Sequence, residues 1–113
     1  MSAITTHILD TSRGRPATGV PVTLEMKMVN EWRELAKGVT NSDGRIPHLL
    51  PEQNRINSGI YRLTFETGKY WSANEEIGFY PYVSIVFEIR DPDQHYHVPL
   101  LLNPFGYSTY RGS

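Results

Sequence analysis

The sequence predicts an all-β fold, a two-sheet β-sandwich of about eight short strands. Three observations lead there. Apolar residues recur at every second position in most segments, and nowhere convincingly at helical spacing. Clusters of Gly, Pro, Asn, Asp and Ser separate these segments: "SRGRPATG", "NSDGR", "NRINSG", "SANEEIG" and "RDPDQ". A length of 113 residues makes one domain, spanning 1–113, large enough to enclose a core without metals or disulfides.

In chain order, "ITTHILD" at 4–10 reads as the first strand. Its two faces carry Thr5, His7 and Leu9 on one side and Ile4, Thr6 and Ile8 on the other, and parity alone does not decide which is buried. The stretch "VPVTLEMKM" is a half-buried strand, with Val20, Val22, Leu24, Met26 and Met28 on the apolar face against Thr23, Glu25 and Lys27. Weaker strands are expected at 32–39, "WRELAKGV", and at 45–50, "RIPHLL". "IYRLTFET", 60–67, alternates Tyr61, Leu63 and Phe65 with Arg62, Thr64 and Glu66. A short helical turn finds room near "YWSANEEIG". "YVSIVFEIR" then sets Val83, Ile85, Phe87 and Ile89 on one side. "HYHVPLLL", 95–102, turns Tyr96, Val98, Leu100 and Leu102 inward, which leaves His95, His97, Pro99 and Leu101 facing out. "GYSTY" at 106–110 closes the series.

Composition removes several classes of function. The formal net charge is −1, with 11 Lys and Arg scattered among 12 Asp and Glu, so no basic stripe faces nucleic acid or an anionic membrane. Cysteine is absent, which excludes disulfides, thiolate metal sites and a Cys nucleophile. The opening "MSAITTHILD" has no basic segment followed by an apolar one, and no apolar run approaches the ~18 residues of a membrane span. A cytoplasmic protein is the expectation, and the chain carries no peroxisomal Ser-Lys-Leu ending.

Chemistry must therefore come from histidines and arginine. An imidazole titrates near neutrality, so His7 or His97 could accept a proton from water after a small environmental shift. Arg45 follows the turn Asn41–Gly44, where its planar guanidinium could serve a carbonyl or oxyanion. The outward face of 95–102 is partly apolar through Pro99 and Leu101, as a face covered by another subunit would be. His95 and His97 on one strand face could begin a zinc site with His7 or Asp43, but the pattern shows no full ligand set and no metal or other cofactor is expected. Neither a G-x-S-x-G elbow nor a phosphate-binding glycine loop is present. On residues alone, the reading ends at a small oligomeric β-sandwich with polar chemistry on an outward face.

The segment "HYHVPLLLNPFGYSTYRGS" closely resembles the C-terminal signature of the 5-hydroxyisourate hydrolases, the enzymatic branch of the transthyretin family. "THILDTSRGRPATGVPVTL" resembles their opening signature, and "SDGRIPHL", "SGIYRLTFETGKYW" and "FYPYVSIVFEI" resemble the middle in order and spacing. Essentially the whole chain is covered, with a small departure at Asn103, where the family often has Ser. The resemblance implies a transthyretin-like sandwich assembled as a homotetramer, a dimer of dimers with active sites in a central channel. It implies metal-independent hydrolysis of 5-hydroxyisourate to 2-oxo-4-hydroxy-4-carboxy-5-ureidoimidazoline in urate degradation. Carried over by position, the catalytic residues would be His7, Arg45 and His97, and the terminal motif would supply Tyr110, Arg111 and Ser113 for substrate binding. With such groups at the end of the chain, a C-terminal tag is expected to impair turnover. The alternative on the same fold is a carrier of small aromatic ligands, which the residues at 7, 45, 97 and 110–113 disfavour.

Overall fold

The structure is a computed structural model and describes residues 3–51 and 55–113. Its elements are β1 (Ile4–Asp10), β2 (Arg15–Pro16), β3 (Pro21–Lys27), β4 (Trp32–Val39), β5 (Gly59–Phe65), α1 (Thr67–Ala73), β6 (Val83–Ile89), β7 (Tyr96–Asn103) and β8 (Gly106–Thr109). They form two four-stranded sheets, in the orders β2-β1-β7-β8 and β4-β3-β5-β6. This is the expected all-β sandwich. Alternation explains why the two sheets meet. The β3 and β5 faces bury Val22, Leu24, Tyr61, Leu63 and Phe65, each 1 % exposed or less. Ile4 and Ile8 of β1 and Leu100 of β7, all fully buried, supply the opposite layer. Removing a side chain such as Leu63 or Phe65 from water contributes about 2–3 kcal/mol.

The first sheet is built on a parallel pair. β1 runs alongside β7 for seven residues, from Ile4 opposite Tyr96 to Asp10 opposite Leu102. The buried Thr6 hydroxyl donates to the Val98 carbonyl at 2.6 Å and adds a side-chain tie within the pair. On the inner side Tyr96, Val98, Leu100 and Leu102 are all buried, as their parity requires.

Three elements depart from the sequence expectation. The strand expected over 45–50 does not form: Arg45 makes a single bridge to His7, and the chain then turns as far as Leu50. Pro47 lacks an N–H for a ladder, and His48 has a φ of 60°, a left-handed value no strand tolerates. The two-residue β2 escaped notice because Arg15 and Pro16 are too few to show a period; they pair with Asp10 and Leu9. Strand β5 ends at Phe65, two residues early, because Thr67 opens α1. The helical turn expected near 70–78 is present as this helix, which starts three residues earlier, runs to Ala73 and buries Tyr70 and Trp71. Of the turn "NRINSG", Asn54 lies outside the described residues.

Asp10 ties the helix to the first sheet. Its side chain is fully buried. Oδ2 accepts from the Tyr70 hydroxyl at 2.6 Å, while Oδ1 accepts from the Ser12 hydroxyl at 2.6 Å and from the Ser12 and Arg13 N–H groups. Burial works to raise the carboxyl pKa, but these donors prevail and hold it below the ordinary 3.8. Burial and the Asp10 carboxylate push the Tyr70 phenol well above its usual range.

Asp10→Ala is expected to cost about 3 kcal/mol in urea unfolding, since it strands buried donors that face a charge. A folded pKa below the unfolded one stabilises above pH 3.8, and the gain disappears as pH falls through the lower folded value. The stability gap between parent and Asp10→Ala should therefore narrow below pH 3.8.

Candidate active site

The outer face of the first sheet holds the histidines. Because Ile4, Thr6, Ile8 and Asp10 face the core, Thr5, His7 and Leu9 face out. On β7 the outward residues are His97, Pro99 and Leu101. The parallel register sets Thr5 opposite His97, His7 opposite Pro99 and Leu9 opposite Leu101. One face of one strand pair thus brings together side chains some ninety residues apart in sequence.

Arg45 reaches this face through its turn. Asn41 Oδ1 accepts from the Asp43 N–H at 2.9 Å and the Arg45 N–H at 3.1 Å, which folds the segment back on itself. Gly44 is buried with a φ of +73° and donates to the Asn41 carbonyl, while its own carbonyl accepts from Ile8 N–H at 2.8 Å. A Cβ at Gly44 would lie 2.3 Å from the Ile8 carbonyl oxygen. Only glycine allows the turn to lie this close to β1. The bridge between His7 and Arg45 follows directly. Among the described residues no carboxylate pairs with the Arg45 guanidinium.

Both imidazoles are biased toward the neutral form. Burial lowers the His7 pKa below 6.5, and Arg45 lowers it further; a hydrogen bond to the Asp43 main chain and the Asp43 charge act in the opposite direction. The His97 pKa is also lowered, by burial first and then by Arg45, His7 and His95, against a main-chain hydrogen bond at Thr5. Arg45 therefore acts on both rings. Two neutral imidazoles beside an unpaired cation can take a proton from water and hold negative charge growing on an oxygen.

The terminal motif divides between two sides of the sheet. Gly112 N–H donates to the His97 carbonyl at 2.8 Å, in the register of the β7–β8 pair, where Leu100 lies opposite Thr109. By that register Tyr110 stands opposite Pro99, on the histidine side, and Arg111 opposite Val98. The Arg111 guanidinium lies 4.4 Å from the ring centre of Tyr96, an inward residue, and Nη2 donates to Gln94 Oε1 at 2.9 Å. Arg111 also lines a cavity of about 330 Å³ between the edges of the two sheets, with Phe87, Val98 and Tyr110. So His7, Arg45 and His97 share one face, whereas Arg111 is engaged away from it. Tyr110 is 59 % exposed, and Ser113 is exposed as well.

One residue, Thr5, escaped the sequence reading, as did the contact of another, Gly112. Thr5 Oγ1 lies 2.8 Å from His97 Nδ1 and 3.0 Å from His95 Nε2. Gly112 packs against the His97 ring so closely that a Cβ there would fall 2.5 Å from Cδ2. Thr5 could have been suspected only as a face-mate of His7; Gly112 was marked by the terminal motif, which gave no hint of its contact with the His97 ring. His48 is exposed, in a turn, and takes no part. Among the described residues no three His, Cys, Asp or Glu side chains stand together as a metal site would need.

Comparison with known proteins gives the chain's relatives. The family model described as "HIUase/Transthyretin family" matches residues 4–112. A 5-hydroxyisourate hydrolase of Salmonella dublin is 47 % identical over 110 residues, 97 % of this chain and 80 % of that one. The solved structure of Klebsiella pneumoniae 5-hydroxyisourate hydrolase superposes with a TM-score of 0.85 at 40 % identity, covering 99 % of this chain and 100 % of that one. Transthyretin from Sparus aurata superposes at 0.92 with 32 % identity, covering 99 % and 97 %.

In an NMR titration His7 and His97 are expected to protonate with midpoints below 6.5. Arg45→Gln should raise both midpoints, because removing a nearby cation favours imidazolium. Unchanged midpoints in that variant would place the guanidinium away from the rings.

Proposed function

The chain belongs to the HIUase/transthyretin family, and we infer that it works on the enzymatic side of that family, as a 5-hydroxyisourate hydrolase. It is a hydrolase acting on a C–N bond of a cyclic amide, and its place is in urate degradation. One observation at the site carries this reading: an unpaired guanidinium beside two histidines whose pKa values are pushed down, all on one sheet face. A carrier of apolar aromatic ligands has no use for such a group, whereas hydrolysis of an amide needs each part of it.

The proposed chemistry proceeds in two proton transfers. Water loses a proton to an imidazole as its oxygen bonds to a ring carbonyl carbon, and the carbonyl π electrons move onto oxygen. Arg45 offers paired N–H donors to that oxygen, which stabilises the charge where it develops. The C–N bond then breaks, nitrogen takes the proton, and the carbon leaves as a carboxylate. His7 and His97 share the proton work. Each has one ring nitrogen held by the protein, His7 by the Asp43 main chain and His97 by Thr5, so each ring is oriented before substrate arrives. Tyr110 and Ser113 are assigned to substrate positioning, and Arg111 to supporting the terminal segment over Tyr96.

The site is half a site in one chain. His7, His97 and Leu101 lie half-buried on an open sheet face with Pro99 buried beside them, and a flat heterocycle held from one side only would keep its water. A homotetramer of single-domain subunits, with this face turned toward a second copy across a central channel, would supply the missing wall. No helix of the described residues is long and apolar enough to cross a membrane; a cytoplasmic location is part of this proposal.

The decisive measurement follows the ultraviolet absorbance of freshly generated 5-hydroxyisourate with parent protein, His97→Asn and a protein-free control. Parent should accelerate the decay, and His97→Asn should lose about 10²–10⁴ of the rate. Decay at the control rate with both would favour the carrier. Arg45→Lys should lose about a hundredfold, since a point charge lacks the planar fork. Because the histidine pKa values are lowered, kcat/KM should be flat above pH 6.5 and fall only on the acid side, with its midpoint below 6.5. Sedimentation at micromolar concentration should report four copies; a fully active monomer would overturn the assembly.

A further inference from the structure

Thr5 joins the two histidines of the β7 segment through one hydroxyl. Its Oγ1 is 2.8 Å from His97 Nδ1 and 3.0 Å from His95 Nε2. It sits directly opposite His97 in the parallel register, so the contact is fixed by the sheet rather than by a flexible side chain. A hydroxyl owns one hydrogen and can donate it to one partner only; toward the other it must accept. Two arrangements satisfy both distances. In one, Thr5 donates to His95 Nε2 and accepts from His97 Nδ1–H, which leaves the lone pair of His97 Nε2 bare. In the other, every hydrogen is reversed, and His97 Nε2 carries a proton and cannot act as a base.

The base role separates them: an imidazole that takes a proton from water needs a bare nitrogen turned away from Thr5, and with Nδ1 held at the hydroxyl only the first arrangement gives His97 one. We propose that Thr5 is a positioning residue which, by donating its hydroxyl hydrogen to His95 and accepting from His97 Nδ1–H, holds His97 in the tautomer whose Nε2 can take a proton from water. His95 is joined to His97 through that hydroxyl, and its own tautomer is coupled to that of the working ring. When Nε2 takes the proton, the imidazolium keeps its Nδ1–H on the Thr5 oxygen, so no rearrangement accompanies the step. The groups facing the His97 ring besides these are His7 from β1, Arg45 from the turn and Gly112 from the terminal segment.

The direction of the hydrogens and its kinetic effect rest on the hydrolase reading; the coupling of the two rings through Thr5 does not. Thr5→Val keeps the branched shape and removes the hydroxyl, whereas Thr5→Ser keeps the hydroxyl. In ¹⁵N histidine spectra of the whole protein at neutral pH, parent and Thr5→Ser should show His97 with Nδ1 protonated and Nε2 unprotonated. Thr5→Val should show a mixture or the reverse, and His95→Phe should shift the balance in the same direction by removing the acceptor. With hydroxyisourate, Thr5→Val should lose about ten- to a hundredfold in kcat with little change in KM, and Thr5→Ser should stay within about threefold. A parent that carries its proton on Nε2 overturns the proposal, as does a Thr5→Val protein with the parent's tautomer and full kcat. Should Thr5→Val fail to fold, the parent and His95→Phe spectra decide the question. If the parent does not hydrolyse hydroxyisourate, the hydrolase reading falls, and the spectra still decide the coupling.

Discussion

Seven residues of β1 lie parallel to seven of β7, and almost every other feature hangs on the phase of that pairing. Side chains alternate along a strand, so a slip of one residue would turn Ile4 and Ile8 to solvent and drive His7 into the core. The inner face resists such a slip: Ile4, Ile8 and Leu100 are fully buried, and Thr6 is tied to the Val98 carbonyl. The outer face inherits its order at no added cost. Thr5 meets His97 because Ile4 and Ile8 must meet the core. Hydrophobic packing, which contributes a few kcal/mol per side chain, thereby holds a polar site whose own hydrogen bonds contribute about 1 kcal/mol each.

Legibility followed sequence distance. The strands at 20–28, 60–67 and 82–90 could be read from their own alternation, and the inward set of 95–102 came out as Tyr96, Val98, Leu100 and Leu102. His7 was different: its strand carries Thr6 on one face and Thr5 on the other, so local polarity was balanced and only the pairing with β7 chose between them. The stretch 45–50 looked like a strand because it is apolar, yet Pro47 and the left-handed His48 deny it a ladder. Thr5, and the role of Gly112 within the terminal motif, were illegible for a physical reason. What each does depends on a ring 92 or 15 residues away, and neither residue type announces such a contact.

Shape alone does not separate the two activities this sandwich supports. Transthyretin from Sparus aurata fits with the higher TM-score, 0.92 against 0.85, while the Klebsiella pneumoniae hydrolase is the more identical in sequence, 40 % against 32 %. The backbone is a shared scaffold. On the proposed reading, function is decided by a few side chains on the outer face of one sheet, and above all by whether a cation and two bases meet there.

The distance between β1 and β7 along the chain also has a consequence in time. Thr6 and Val98 are 92 residues apart. On a ribosome adding about 5–20 residues per second, β1 emerges roughly 5–18 seconds before the strand it must pair with. Throughout that interval the edge of β1 that pairs with β7 stays open to other chains. The antiparallel neighbours β3, β4 and β5 close over much shorter separations and can assemble first. Nascent chains should therefore pass through a state with one sheet formed and the future histidine strand waiting, and chaperones would find their substrate in that state.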